Sequence, residues 1–548
     1  MIWHLNNTTI RNPGRYLEAL RAYDEYGHID GLFKSGNIKA QKELYNLILD
    51  AGLIRSEDRD SAWNGRKWRL GFYRLGLISY KNVSKENQGR ITKTGKALLN
   101  ASNDSELEDV YLRIIYNLEI AQKEKSFRPV TLILKVMKLL RDSGHRESIN
   151  QKEFIISIQD YRPELNAKDY FNEIIKFRKN VDLNKGKLKS FYEDSFKNVF
   201  NRNNKPPSIT TFTKDYPDVT FRFLKLSGLF RTEGSKLILN SQYNKLLDAL
   251  CADDVVSQSE DDYYFKIANL PEIPIDANRD ILESIVIENF ETLDLAPLNI
   301  KELDNEDLRY LRINQDDKIR KEAEKRFAFE QRSKVKVITS WFECLVNKKS
   351  KDEFIDGEYI AFKSDERPQY LEWIVWRAFL AINNLSNQPY ESRKFPLDSE
   401  LKPTNHAPSR GPDLLMEFDE FTLVVEVTWT TSARQVAAEG EPVIRHVAQV
   451  AANSKKPTYC LFIAPEINLN TIQSYRINDT YFLENGSEQV ANIIPISIEE
   501  FIKFFINIPK AQEDSIDKIH SILKECTSIK KHLKPGEWKE FIIKKFAA

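Results

Sequence analysis

The stretch Gly411–Thr428, GPDLLMEFDEFTLVVEVT, constrains this chain more than any other. Two apolar runs, Leu414–Phe418 and Phe421–Thr428, flank Asp419-Glu420, which predicts two strands joined by a tight turn. With those two residues as the loop, Asp413 falls opposite Glu426. Facing carboxylates on a strand pair have Cβ atoms roughly 4.5–5.5 Å apart and repel each other. A divalent cation between them removes that cost, because hard cations take carboxylate oxygens. The pattern also admits a solvated acidic hairpin end. Glu426 argues against it, since it lies inside Leu423-Val424-Val425-Glu426-Val427 and a charge in such a run is rarely buried without a partner or a metal.

A chain of 548 residues exceeds a single core, so several domains are expected. Lys plus Arg and Asp plus Glu both number 81, so mean charge is silent about partners and its distribution carries the information. Cys251, Cys344, Cys460 and Cys526 stand alone with no CxxC pair. A disulfide framework and a zinc ribbon are therefore not expected, and a reducing, cytoplasmic setting is. The start, MIWHLNNTTIRNPGR, lacks an apolar signal core, and no apolar run is long enough to span a bilayer, so no membrane partner is expected.

Between Ser61 and Asn100 nine basic residues (Arg66, Lys67, Arg69, Arg74, Lys81, Lys85, Arg90, Lys93, Lys96) face one acid, Glu86. Trp68–Leu77 reads as a helix and Gly89–Leu99 as a short strand followed by a helix. A helix, a basic loop and a strand in that order resemble a winged helix, with Arg66, Lys67, Arg69, Arg74 and Lys93 as candidate contacts to double-stranded DNA. Asp109–Asp142 is expected to be mostly helical, with Pro129 opening TLILKVMKLLRDSG. Tyr216–Asn240 repeats the design: a helix over FRFLKLSGL, then a strand pair around RTEGSKLILN.

Cys251–Asp307 holds sixteen acidic and three basic residues and reads as a boundary followed by a helical linker through Arg332, repelled by DNA and spacing two ends. The expected divisions are 1–110 and 111–250, two winged-helix-like subdomains on the DNA-contacting side; 251–334, an acidic helical linker; and 335–548, an α/β domain. In the last, Val335–Asn347 and Gln369–Asn384 read as helices and Pro457–Ala464 and Ile493–Ile498 as strands. The tail 511–547 reads as amphipathic helix broken at Gly536. Strands alternating with helices predict a sheet with covered faces.

Pro412-Asp413 followed thirteen residues later by Glu426-Val427-Thr428 approximates the PD-(D/E)XK nuclease signature. Glu372 lies on a preceding helix. Glu439 lies just before Pro442, which suits a helix's first position and puts His446 about one turn in. Glu441 would then serve that helix's N-terminus.

The strings ELKPTNHA (Glu400–Ala407), PDLLMEF (Pro412–Phe418), VVEVT (Val424–Thr428), EGEPVIRH (Glu439–His446) and YCLFIAPEIN (Tyr459–Asn468) resemble the AlwI family of type IIS restriction endonucleases, which includes strand-specific nicking subunits. FRFLKLSGLF and GSKLILN (Phe221–Phe230, Gly234–Asn240) are similar to its recognition half. The resemblance implies Mg²⁺-dependent phosphodiester hydrolysis at a fixed offset from a short asymmetric duplex site, and it places Glu372, Asp413, Glu426, Glu439 and His446 at active-site positions.

Asp413, Glu426 and the Val427 carbonyl are the expected metal ligands. Where many such nucleases carry Lys, this chain carries Thr428. His446 is the candidate replacement, as general base or phosphate contact, against a structural histidine. Glu439 is expected to bind a second metal or orient His446, and Glu372 to hold metal-bound water or cap its helix. His406 reads as structural or substrate-side, and Trp373, Trp376 and Trp429 as core. One such site cuts one strand, so duplex cleavage calls for a second copy of the chain, a small second subunit, or sequential attack. A catalytically inactive DNA-binding regulator and a structure-specific repair nuclease remain the alternatives.

Overall fold

The computed structural model describes the chain except residues 33–35, 55–58, 80–88, 123–124, 204–206, 253–254, 297, 348–352, 356, 361, 383–384, 409–410, 432–433, 511–513 and 548. The basic loop carrying Lys81, Lys85 and Glu86 lies outside the described residues. The chain forms two compact units, Met1–Ile319 with Asp398–Glu400, and Arg320–Leu397 with Leu401–Ala548. Among the described residues no helix is long and apolar enough to cross a membrane, and all four cysteines are buried and free.

The first unit is mostly helical. It opens with α1 (Arg15–Tyr26), α2 (Ile38–Asp50), α3 (Ala62–Arg74) and α4 (Lys93–Asn100). Three of these begin on side-chain caps: Asn37 accepts from Ala40 N, Ser61 from Asn64 N, and Thr92 from Gly95 N, each satisfying an N–H that the helix cannot. A β-bridge between Ile78 and Ile91 lies between α3 and α4. Glycines seat α3. A Cβ on Gly65 would overlap the Gln41 carbonyl of α2, and one on Gly71 would overlap the Tyr16 ring of α1. Further on, helix Tyr216–Leu226 leads into strands Phe230–Glu233 and Lys236–Leu239, the second also pairing with Ser148–Asn150.

The stretch 109–142 is mostly helical, as expected, with one break between its two helices. Helix Asp104–Tyr116 ends, two short strands, Ile120–Gln122 and Lys125–Phe127, pair antiparallel, and a new helix starts at Pro129. Proline drives the residue before it out of the helical region, and Arg128 is extended at φ −101°, ψ 104°. The acidic stretch 251–307 contributes Tyr264, Ile267, Leu282, Val286, Phe290 and Ile300 to the first core.

The second unit is organised on a four-stranded mixed sheet. Helix Val335–Val346 and α5 (Arg367–Ile382) precede β1 (Leu414–Glu417), β2 (Thr422–Val427), α6 (Arg434–Asn453), β3 (Thr458–Ala464) and β4 (Asn492–Ser497). The strand order is β4-β3-β2-β1. Strand β3 runs parallel to both neighbours, while β1 and β2 are antiparallel. Every residue of β3 is buried, as a central strand covered on both faces requires. The tail forms two helices, Asp514–Ile529 and Pro535–Ala547. Gly536 is therefore inside the first turn of the last helix and not its break. Pro535, with φ fixed for a first helical position, starts the helix before the glycine is reached.

Candidate active site

Strands β1 and β2 pair Leu414 with Val425, Leu415 with Val424, Met416 with Leu423 and Glu417 with Thr422. Phe418 N–H donates to the Phe421 carbonyl at 3.0 Å, closing the turn over Asp419-Glu420 as the alternation predicts. Continued by one residue, this register sets Asp413 against Glu426. Glu426 is buried and Asp413 half-buried. Asp413 Oδ2 accepts from the Val427 amide at 2.7 Å, which ties the carboxylate to the far strand. On its other side β2 pairs with β3, Glu426 opposite Phe462, so the peptide carrying Glu426 is held from both edges.

Helix α6 overturns one expectation. It begins by Arg434 and runs through Pro442, so Glu439 and Glu441 are interior residues and His446 stands over three turns in. Proline removes one N–H and so frees the carbonyl four residues back, on Ala438. Ala438 is exposed, so water can satisfy that oxygen and the helix passes through. Glu441, placed mid-helix, accepts from Arg445 Nε at 3.2 Å and Tyr481 Oη at 3.0 Å and serves no N-terminus.

Glu439 and His446 are seven residues apart, two turns on one face. They meet different groups. His446 Nδ1 lies 2.9 Å from Glu426 Oε1, both side chains buried. Glu439 Oε1 accepts from Thr428 Oγ1 at 2.7 Å and from Thr430 Oγ1 at 3.2 Å. Thr428, at the position where many such nucleases carry lysine, thus anchors Glu439. The expectation that Glu439 orients His446 gives way to Glu426 as the group bonded to the imidazole.

Glu372 on α5 is buried and accepts from His406 Nδ1 at 3.2 Å and Ala407 N at 2.9 Å. It ties the 406–407 segment to α5 instead of capping a helix. Trp373 and Trp376 are core residues, while Trp429 is half-buried with the Arg367 guanidinium 5.2 Å from its ring centre.

Thr430, Gln435 and Tyr475 escaped the sequence reading. Gln435 Nε2 donates to the Thr430 and Glu466 carbonyls at 2.9 and 3.0 Å, and Tyr475 Oη to the Glu439 carbonyl at 3.2 Å. One signal was present: Thr428 and Thr430, two apart in extended chain, share a side.

The negative charge is concentrated. Burial, then Glu372 and Glu426, push the Asp413 carboxyl well above its ordinary value. Burial, then Glu439 and Glu372, do the same to Glu426, with Arg445 opposing. Among the described residues no three His, Cys, Asp or Glu side chains close into a metal cage. The two facing carboxylates instead match a hard cation that keeps several waters and takes one or two protein carboxylates.

The family model described as AlwI restriction endonuclease matches residues 73–504, more than half of the chain and all of these site residues. The chain belongs to the AlwI restriction endonuclease family. It is a site-specific deoxyribonuclease. No curated protein matches it. Among solved structures, the small subunit of the heterodimeric restriction endonuclease R.BspD6I is 20% identical with TM-score 0.30, covering 38% of this chain and 97% of its own. The BpuJ1 endonuclease binding domain, solved with modified DNA, is 11% identical with TM-score 0.31, covering 46% of this chain and 90% of its own. Restriction endonuclease FokI is 11% identical with TM-score 0.23, covering 94% and 98%.

In this AlwI-family enzyme the candidate DNA contacts lie on α3 and at the start of α4. Arg66, Arg74 and Lys93 are exposed and Lys67 is half-buried. Arg69 turns inward, its Nη1 donating to the Leu32 carbonyl at 3.4 Å. Helix geometry explains the difference, since Arg69 adjoins the buried Trp68 while Arg66 and Arg74 lie on the opposite side.

Proposed function

We propose that this AlwI-family chain is a type IIS endonuclease that binds a short asymmetric duplex site and hydrolyses phosphodiester bonds at a fixed offset with Mg²⁺. The observation that carries this is the Asp413 carboxylate bonded to the Val427 amide, next to Glu426, at the open end of a buried hairpin inside the matched family. Recognition is assigned to 1–110 and 111–250, spacing to 251–334 and cleavage to 335–548. Helices α2 and α3, followed by the Ile78–Ile91 bridge, support a winged-helix reading of the first segment. The β2-α6-β3 crossover beside an antiparallel β1 supports a PD-(D/E)XK layout of the last.

Asp413, Glu426 and the Val427 carbonyl would hold Mg²⁺. When bound, the ion supplies Lewis-acid activation of the scissile phosphate and a water of lowered pKa. The protein's own residues do the rest. Asp413 is fixed by the Val427 amide and Glu426 by His446, so both carboxylates are set before DNA arrives. His446 supplies the proton acceptor or positive charge that Thr428 does not. Glu439, anchored by two threonines, adds the negative field that favours a cation. Glu372 fixes the 406–407 segment beside them. One site cuts one strand, so duplex cleavage draws on a second copy, a small second subunit, or sequential attack.

Plasmid DNA incubated with Mg²⁺, followed by run-off sequencing of both strands, tests the reading. A break at one constant distance from one sequence supports it. Structure-dependent cutting without a constant offset, or no cutting at all, refutes it.

A further inference from the structure

Helix α3 carries four basic residues, Arg66, Lys67, Arg69 and Arg74, and no acid. One face is committed to packing: Gly65, Trp68, Gly71 and Phe72 are buried. The other face presents Trp63, Arg66, Lys67 and Leu70, the i, i+3, i+4, i+7 positions of a helical stripe. Trp63 is 65% exposed and Leu70 37%. Arg66 is exposed and makes no hydrogen bond or ion pair among the described residues. Lys67 is held in place, its Nζ 5.4 Å from the Trp63 ring centre and 3.5 Å from Asn64 Oδ1. The corresponding helix of the second module, Tyr216–Leu226, has no exposed residue and so no face to offer.

We propose that the Trp63–Arg66–Lys67–Leu70 face of α3 reads base edges in the major groove of duplex DNA. This rests on the reading that the first unit recognises the site. The groove admits one α-helix. A rigid helix locked by two glycines presents its side chains in a fixed register, which base readout needs and phosphate contact alone does not. Arg66 carries the fork that matches guanine O6 and N7, and Trp63 and Leu70 offer apolar contact to thymine methyls. Lys67 faces the phosphates.

The test uses full-length protein with Mg²⁺ and a randomised duplex library. Wild type, Arg66→Ala, Arg66→Lys and Trp63→Ala are compared by sequencing the cleaved molecules. Arg66→Ala should lose about 5- to 100-fold of its discrimination at one base pair and keep it at the others. Arg66→Lys, which keeps the charge but not the fork, should relax the same position while preserving the salt dependence of binding. Trp63→Ala should relax an adjacent position. Variants that select the wild-type sequence at every position overturn the proposal, as do variants whose affinity falls equally on all sequences. If wild type itself selects no sequence, the recognition reading fails first, so the two failures are distinct. Arg66 and Trp63 lie on an exposed face, and circular dichroism of each variant shows that the fold is kept.

Discussion

His446 Nδ1 and Glu426 Oε1 are 2.9 Å apart, both buried, joining helix α6 to strand β2 at a proposed metal ligand. The imidazole has a structural task as well as a proposed chemical one. His446→Ala should slow cleavage by roughly 10²–10⁴-fold, the usual worth of positioned proton transfer. Thr428→Lys in that background should restore part of the rate if the deficit is a missing charge at the hairpin. Single-turnover rates on a cognate duplex measure both. Wild-type rate from His446→Ala contradicts the assignment. A variant that has lost the cooperative unfolding transition of the second unit shows instead that the histidine is structural.

Thr428 Oγ1 and Thr430 Oγ1 share one oxygen of Glu439. Thr428→Val keeps the shape and removes the stronger of the two bonds. The second unit should lose about 1–3 kcal/mol of stability, the cost of taking one hydrogen-bond donor from a carboxylate. Denaturant unfolding of wild type and variant measures it, with cleavage falling while DNA binding holds.

The carboxyls of Asp413 and Glu426 are pushed above their ordinary values of 3.8 and 4.5 by burial and by neighbouring acids. The folded state therefore holds these protons more tightly than the unfolded state. Their contribution to stability is present below about pH 4 and is lost as pH rises through the folded values. In chelator the melting temperature should carry a downward slope with pH, starting at about pH 4. Asp413→Asn combined with Glu426→Gln should flatten it. Mg²⁺ competes with those protons, so its stabilising effect should grow with pH. A slope unchanged in the double variant contradicts this.

Much of the site was legible because strands write their register into the sequence. The alternation on either side of Asp419-Glu420 admits one pairing that keeps both apolar faces inward, and that pairing aligns Asp413 with Glu426. The helix that follows was not legible. Pro442 reads as a helix start, and only the exposure of Ala438 in the fold shows why the helix continues through it. The bond between His446 and Glu426 is a tertiary contact between residues twenty positions apart. No local pattern distinguishes it from a bond between His446 and Glu439. Arg69 looked equivalent to Arg66 because a charge run carries no phase, and the phase came from Gly65 and Gly71.

Those glycines can be tested on their own. Gly65→Ala would place a methyl against the Gln41 carbonyl, where backbone must move. Overpacking of this kind costs about 1–3 kcal/mol. DNA binding should weaken through displacement of α3, with the unfolding of the first unit shifted to lower denaturant. Unchanged stability and binding would show that α3 does not need this close approach.

In the proposed division of roles, Asp413 and Glu426 perform cleavage and a separate surface performs recognition. Asp413→Asn and Glu426→Gln, each assayed with Mg²⁺ on plasmid and by equilibrium binding to the cognate duplex in chelator, test it most directly. Neither variant should break strands detectably, and duplex affinity should stay within about threefold of wild type, or roughly 0.6 kcal/mol. Cleavage at the wild-type rate, or loss of binding together with loss of cleavage, would contradict it.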